Sequence, residues 1–104
     1  MQVFETYLQT AWGGSWENIT IEDVNNAIDE MMKMDDEHGA FWVGLFKTGE
    51  NVLEMSKDLT LIGVFEDDSE SQIIRKGKNR DEAVDLYQLL LSGDIDALKI
   101  AFSK

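Results

Sequence analysis

Four short segments rich in apolar and β-branched residues follow one another between residues 40 and 77, and this succession constrains the fold most. Turn-forming residues separate them, including Gly49 and Asn51 after the first segment and the acidic run 66–70 after the third. Because such short connections join antiparallel neighbours, we predict an antiparallel meander. Its strands are expected at residues 41–46, 52–56, 59–65 and 71–76.

The first of these segments, residues 41–46, is apolar at every position. A strand that is apolar on both faces is typical of the centre of a sheet. We therefore expect Trp42 to lie in the core. A further strand is predicted at the start of the chain, where a period near two with β-branched and aromatic members sets Val3, Glu5, Tyr7 and Gln9 against Phe4, Thr6 and Leu8.

A helical pattern separates the opening strand from the meander. Thr20 is a good N-cap, and the acidic Glu22 and Asp23 follow it at the positive end of the helix dipole. Apolar side chains then recur at helical spacing at Ile21, Val24, Ala27, Ile28, Met31 and Met34. The sequence predicts a first helix over residues 21–34, with its methionines filling the core.

A second helix is predicted after the meander, from Asn79 to the stop at Ser92 and Gly93. Residues 94–98 are expected to form one more helical turn and residues 100–102 a short closing strand. The fold class that follows is α+β, with an antiparallel sheet of about five strands and two main helices packed on one face. Residues 1–104 form a single predicted domain.

The composition excludes several kinds of site. No cysteine is present, so the chain forms neither a disulfide nor a thiolate metal site, and we expect a reducing, cytoplasmic environment. The N-terminus lacks the basic lead and apolar run of a signal peptide. No apolar run approaches the ~20 residues of a membrane-spanning helix, so we expect no membrane contact.

Acidic residues are concentrated in the first two thirds of the chain. Residues 1–70 carry sixteen Asp and Glu against three Lys, whereas residues 71–104 carry five acidic and six basic side chains. An acidic domain without a catalytic motif favours binding to a basic partner, and opposite potentials raise association rates by ~10–10³-fold. We expect a partner that itself holds a polyanion, such as a nuclease, a nucleic-acid deaminase or a translation-targeting toxin.

The patterns of catalytic and metal-binding residues are missing from the sequence. His38 is the single histidine and lies in a charged stretch beside Gly39, which does not favour a histidine-based triad. The acidic runs 35–37 and 66–70 do not follow the calcium-loop pattern, and no glycine-rich phosphate loop occurs. We expect no catalytic residue, no metal and no cofactor. A carboxylate or metal-dependent enzyme is the alternative, for which a thermal shift with divalent cations would be the sign.

Four of the nine basic residues lie close together, at Arg75, Lys76, Lys78 and Arg80. A net charge of −12 repels phosphate, so we expect no binding to nucleic acid. These cations are expected to balance acidic side chains of the second helix or to form the rim of a contact.

Two tryptophans flank a pair of glycines in the segment Trp12-Gly13-Gly14-Ser15-Trp16, which we predict to be a loop. Indoles dominate many protein interfaces, so Trp12 and Trp16 are candidate anchors for a partner. The alternative is that they cap the open end of the core.

Several of these segments together resemble immunity proteins of bacterial polymorphic toxin and contact-dependent inhibition systems. The shared features are the tryptophan segment, residues 20–24 and 27–29, the run of strands, residues 81–86, Gly93-Asp94 and the terminal apolar strand predicted above. The type they resemble is often encoded beside deaminase or nuclease toxins. The resemblance implies a cytoplasmic antidote that binds one cognate toxin C-terminal domain and blocks its active site or substrate groove.

The acidic runs are the candidate electrostatic part of such a contact, alongside Trp12 and Trp16. The predicted residues are Asp35, Asp36, Glu37, Glu66, Asp67, Asp68 and Glu70. The sequence allows a monomer or a homodimer. A non-catalytic structural or regulatory module that self-associates through the tryptophan segment is the alternative function.

Overall fold

The computed structural model describes residues 5–35, 37–46, 50–64 and 72–102. Six β-strands and three α-helices lie within these ranges. The strands are β1 (Glu5–Thr10), β2 (Ser15–Glu17), β3 (Ala40–Phe46), β4 (Glu50–Ser56), β5 (Thr60–Val64) and β6 (Gln72–Lys76). The helices are α1 (Ile21–Met31), α2 (Arg80–Leu91) and α3 (Ile95–Phe102).

All six described strands form one antiparallel sheet in the order β2-β1-β3-β4-β5-β6. Strands β3 to β6 form the predicted meander, in which each strand pairs with the next one along the chain. Strand β1 pairs with β3, which follows α1 in the chain, and Leu8 lies opposite Val43. The α+β fold class is therefore confirmed, with one strand and one helix more than expected.

The additional strand, β2, lies where the sequence predicted a loop. Gly13 adopts a φ of +103°, a backbone conformation that favours glycine, and this lets the chain reverse direction directly after β1. The turn is closed by the Gly14 N–H, which donates to Thr10 Oγ1 at 2.7 Å. Trp16 consequently lies opposite Leu8 in the β1–β2 pair.

The C-terminal segment is helical to its last described residue, so the predicted closing strand at 100–102 is wrong. Gly93 ends α2 with a φ of +80°, and the Asp94 carboxylate then accepts a hydrogen bond from the Ala97 N–H at 3.2 Å. Ile95 and Leu98 are buried, and Ala101 packs beside them. An apolar residue every third position matches a helix better than the two-residue period of a strand.

Helix α1 begins as predicted, with Thr20 as its N-cap. The Asp23 carboxylate accepts a hydrogen bond from the Thr20 N–H at 2.8 Å, which satisfies an otherwise unpaired donor at the helix start. The helix ends at Met31, three residues before the predicted end.

The helices contribute to one hydrophobic core with one face of the sheet. Its buried sheet members are Leu8, Phe41, Val43, Leu45, Leu53, Met55 and Leu61. Tyr87 of α2 joins the two layers, because its ring stacks on Phe41 at a centroid distance of 5.4 Å and its hydroxyl donates to the Leu53 carbonyl at 3.0 Å. Every second strand residue therefore faces the helices.

The opposite side of the sheet, called the open face below, is not covered by any described helix. Trp42 lies on this face, half-buried, so the prediction that it belongs to the core is wrong. The reason is parity: Phe41 and Val43 point into the core, and the residue between them must point away from it. None of the described helices is long and apolar enough to cross a membrane.

Candidate functional site

The two predicted anchors lie together in a cleft between the β1–β2 hairpin and α1. The cleft has a volume of about 140 Å³ and is called the indole cleft; it is lined by Leu8, Trp12, Trp16, Asp23, Asn26, Ala27 and Glu30. Leu8 and Ala27 are buried and make its apolar floor. Its α1 wall carries two carboxylates and an amide.

The two indoles differ in exposure. Trp12 packs partly buried against the hydrophobic core, whereas Trp16 is 50% exposed. The Trp16 ring lies over Gly14, since a Cβ atom at position 14 would come within 2.4 Å of its Cη2 atom. Trp12 therefore serves the packing of the fold, and Trp16 presents an open aromatic surface that the glycine positions.

The two carboxylates of the indole cleft differ in how strongly they are bound by neighbouring groups of the protein. Asp23 caps the start of α1 through its bond to the Thr20 N–H. Glu30 lies 3.7 Å from Lys33 in an exposed pair, which contributes little to stability. A cation brought to the Trp16 ring would meet the Glu30 carboxylate with little competition.

The predicted acidic residues Asp35 and Glu37 do not line the indole cleft. They follow α1 at its other end, and both are exposed. The Asp35 carboxylate accepts from the His38 backbone N–H at 2.8 Å and lies 2.8 Å from the ring atom Nδ1. The side-chain hydrogen bond between the His38 ring and the Asp35 carboxylate, followed by the backbone one, lowers the pKa of Asp35, and the same side-chain bond raises the pKa of His38.

The other predicted acidic residues fall outside the residues that the structure describes. They are Asp36, Glu66, Asp67, Asp68 and Glu70. Their part in a contact therefore stays a prediction.

Three of the clustered cations form internal contacts. Arg75 donates to Glu82 of α2 at 3.0 Å and to the Ala101 carbonyl of α3 at 3.1 Å, and its presence lowers the pKa of Glu82. Arg80 pairs with Asp29 of α1 at 2.6 Å. Lys76 pairs with Asp58 at 3.6 Å. The prediction that these cations balance acidic side chains of the second helix is confirmed for Arg75, which pairs with Glu82 of α2. Arg80 balances an acidic side chain of α1 instead.

The open face is the surface that sequence reasoning missed. Its apolar members include Trp42, Phe46, Val52, Ile62, Val64 and Ile74. Phe46 is 43% and Ile74 65% exposed. The signal in the sequence is the apolar character of residues 41–46 on both faces, which is typical both of a strand buried on two sides and of a strand with one exposed apolar face.

The described residues include no group of three or more His, Asp or Glu side chains arranged to hold a metal ion. No protein-family model, curated protein or solved structure matches the chain. What the described geometry offers is surface chemistry, namely exposed aromatic rings placed beside carboxylates. Such an arrangement suits the recognition of a cationic side chain.

Proposed function

We propose that this chain is an immunity protein that binds and neutralises a basic bacterial toxin domain, without catalysis of its own. The observation that supports this most directly is the half-exposed Trp16 ring beside the Glu30 carboxylate in the indole cleft. A lysine or arginine of the toxin would lie against the indole and pair with Glu30. Trp and Arg are the residue types most enriched among interface hot spots.

The overall charge supports the same partner. A net charge of −12 attracts a protein whose surface is basic because it holds a nucleic acid. Occupying that surface would deny it to the toxin's substrate. The association rate should fall steeply as salt is added, because screening shortens the reach of the field to about 8 Å at physiological ionic strength.

The proposal is tested with the toxin domain encoded beside this chain. That domain is expressed in a bacterial host with and without the chain, and growth and the association rate are measured. We expect growth to be restored by the wild-type chain. Trp16→Ala should weaken the complex by at least tenfold, in line with loss of an interface hot spot.

Ile100→Ala provides the matched control, since Ile100 is a large apolar residue on α3 that is 61% exposed and is not among the residues that line the cleft. It should leave the affinity within twofold of wild type. A toxin that is neutralised equally well by both variants would exclude the indole cleft from the contact. A neighbouring protein with no toxicity and no affinity for the chain would exclude the proposed function.

A further inference from the structure

The open face carries an apolar groove across its central strands. The groove has a volume of about 340 Å³ and is lined by Tyr7, Trp42, Val52, Glu54, Ile62 and Val64. Its members come from four adjacent strands, so the backbone hydrogen bonds of the sheet hold it in shape. Because the groove lies on the other side of the sheet from the helices, it is separate from the indole cleft.

The aromatic side chains of this face are held in position before any partner arrives. The Trp42 indole N–H donates to Gln9 Oε1 at 2.9 Å, and the Tyr7 hydroxyl donates to Glu50 Oε2 at 2.9 Å. Tyr7 also lies against Phe46, with ring centroids 5.8 Å apart. Rings that are already ordered lose little conformational entropy on binding, which favours association.

One carboxylate lies in the middle of this apolar groove. Glu54 is half-buried and stands between Trp42 of β3 and Ile62 of β5 in the register of the sheet. The Glu54 carboxylate takes part in none of the side-chain hydrogen bonds or ion pairs found among the described residues. An apolar surface that covered Glu54 without a cation would strip its water and leave its charge unpaired, which is strongly unfavourable.

Further carboxylates lie on the other side of Tyr7. There Glu5, Glu17 and Glu50 line a wider groove of about 630 Å³ together with Phe46. The described cation on this face is Lys76, at the opposite edge of the sheet, where it pairs with Asp58. The open face is therefore largely apolar on the Trp42 side of Tyr7 and acidic on its other side, where Glu5, Glu17 and Glu50 lie.

We propose that the open face docks another protein through an apolar, basic element, with a lysine or arginine of that element placed between Trp42 and Glu54. The cation would gain both a carboxylate partner and an aromatic ring face. Additional basic side chains would reach across Tyr7 to the acidic groove. The proposal requires no toxin activity in the partner, so it stands or falls independently of the proposed function.

A second copy of this chain is a poor occupant of the same surface. A two-fold dimer uses the same patch on both partners. It would bring the Glu5, Glu50 and Glu54 carboxylates of both copies into one interface, and like charges facing each other oppose association. Charge complementarity thus selects a basic partner over self-association.

The proposal is tested on the full chain with two blocked peptides of equal charge, one of four Val-Arg repeats and one of four Ser-Arg repeats. Nuclear magnetic resonance follows the Trp42 indole N–H and the backbone amides. We expect the Val-Arg peptide to bind at least fivefold tighter and to shift the Trp42 resonance, because only it offers both apolar and basic side chains. Glu54→Gln should weaken its binding at least threefold.

Glu22→Gln is the matched control, because Glu22 is an exposed carboxylate at the start of α1 and its loss changes the net charge equally. It should weaken binding less than 1.5-fold. Equal affinities for the two peptides, or equal effects of the two substitutions, would overturn the proposal in favour of unspecific charge attraction. Shifts confined to β6 or to the indole cleft would also overturn it, as would a dimer in sedimentation velocity that Trp42→Ser abolishes.

Discussion

The phenol ring of Tyr7 lies across Gly44 of the neighbouring strand, so close that a Cβ atom at position 44 would come within 2.1 Å of the Tyr7 Cε1 atom. The two residues face each other directly in the β1–β3 register. The missing side chain of Gly44 lets the ring lie on the sheet, and the Glu50 carboxylate then holds its hydroxyl. This contact separates the apolar and acidic parts of the open face.

Gly44→Ala is therefore expected to lower the free energy of unfolding by about 1–3 kcal/mol, because the new methyl group must displace the Tyr7 ring. Urea denaturation measures the change. The control is the same substitution in a Tyr7→Leu background, where the smaller side chain leaves room and the cost should largely vanish. An equal cost in both backgrounds would show that the ring is not the obstacle.

Neither tyrosine should ionise at the usual pH of about 10. Burial, aided by the hydrogen bond to Glu50, raises the pKa of Tyr7 to about 12. Burial raises the pKa of Tyr87 well above its usual range. The phenols of the unfolded chain ionise at a lower pH than those of the folded chain. The stabilisation of the folded state that goes with the raised pKa values is therefore complete below pH 10 and is lost as the pH rises towards 12.

The phenolate absorbance of the folded protein measures this directly. Glu50→Gln should lower the midpoint of Tyr7, because the negative charge beside the hydroxyl is removed. Glu22→Gln, which removes an equal charge far from the ring, should leave the midpoint in place. A wild-type transition near pH 10 would contradict the contact between Tyr7 and Glu50.

The Asp35–His38 pair predicts a specific pH dependence. Its hydrogen bond raises the pKa of His38 and lowers that of Asp35. The contribution of His38 is complete below about pH 6.5 and is lost as the pH rises through its elevated pKa, while that of Asp35 is lost as the pH falls through its lowered pKa. The pair therefore stabilises the turn at mildly acidic pH.

Proton resonances of the single histidine follow this titration without overlap. We expect a midpoint above 6.5 in the wild-type chain and a midpoint close to 6.5 in Asp35→Asn. An Asp29→Asn variant, which removes a carboxylate that pairs with Arg80 instead, should keep the elevated value. An unchanged midpoint in Asp35→Asn would exclude this pairing in solution.

Tyr87→Phe tests the link between α2 and the sheet. The substitution keeps the ring that stacks on Phe41 and removes the buried hydrogen bond to the Leu53 carbonyl. The expected loss is about 0.5–1.5 kcal/mol in the free energy of unfolding. Thermal and urea denaturation should agree on it, and no loss at all would mean that the bond contributes nothing net.

Elements whose evidence lies in consecutive residues could be predicted from the sequence. The meander and the start of α1 follow from local periodicity, turn residues and the Thr20 cap. Strand β2 could not be predicted, because its three residues form a strand only by pairing with β1 after the Gly13 turn. At residues 100–102, three apolar residues in a row do not by themselves distinguish the period of a strand from that of a helix.

The candidate site was predictable to a similar degree. The proximity of Trp12 and Trp16 follows from their spacing, whereas their carboxylate neighbours come from α1, which a linear pattern does not bring to them. The exposure of the open face could not be predicted, because the local sequence shows that a side chain is apolar but not whether a second layer of structure covers it. Only the register between β3 and β4 shows that Trp42 and Glu54 are neighbours.

The hairpin of β1 and β2 joins the rest of the sheet only through the pairing of β1 with β3, across the whole length of α1. Contacts between distant parts of a chain close late in folding, because the intervening loop must first be ordered. The meander of β3 to β6 has no such delay, because each of its strands pairs with the next one along the chain. We therefore expect the β1–β3 pairing to form last and to complete the indole cleft. Local unfolding of the native molecule at this pairing would disrupt the cleft while strands β3 to β6 stay paired.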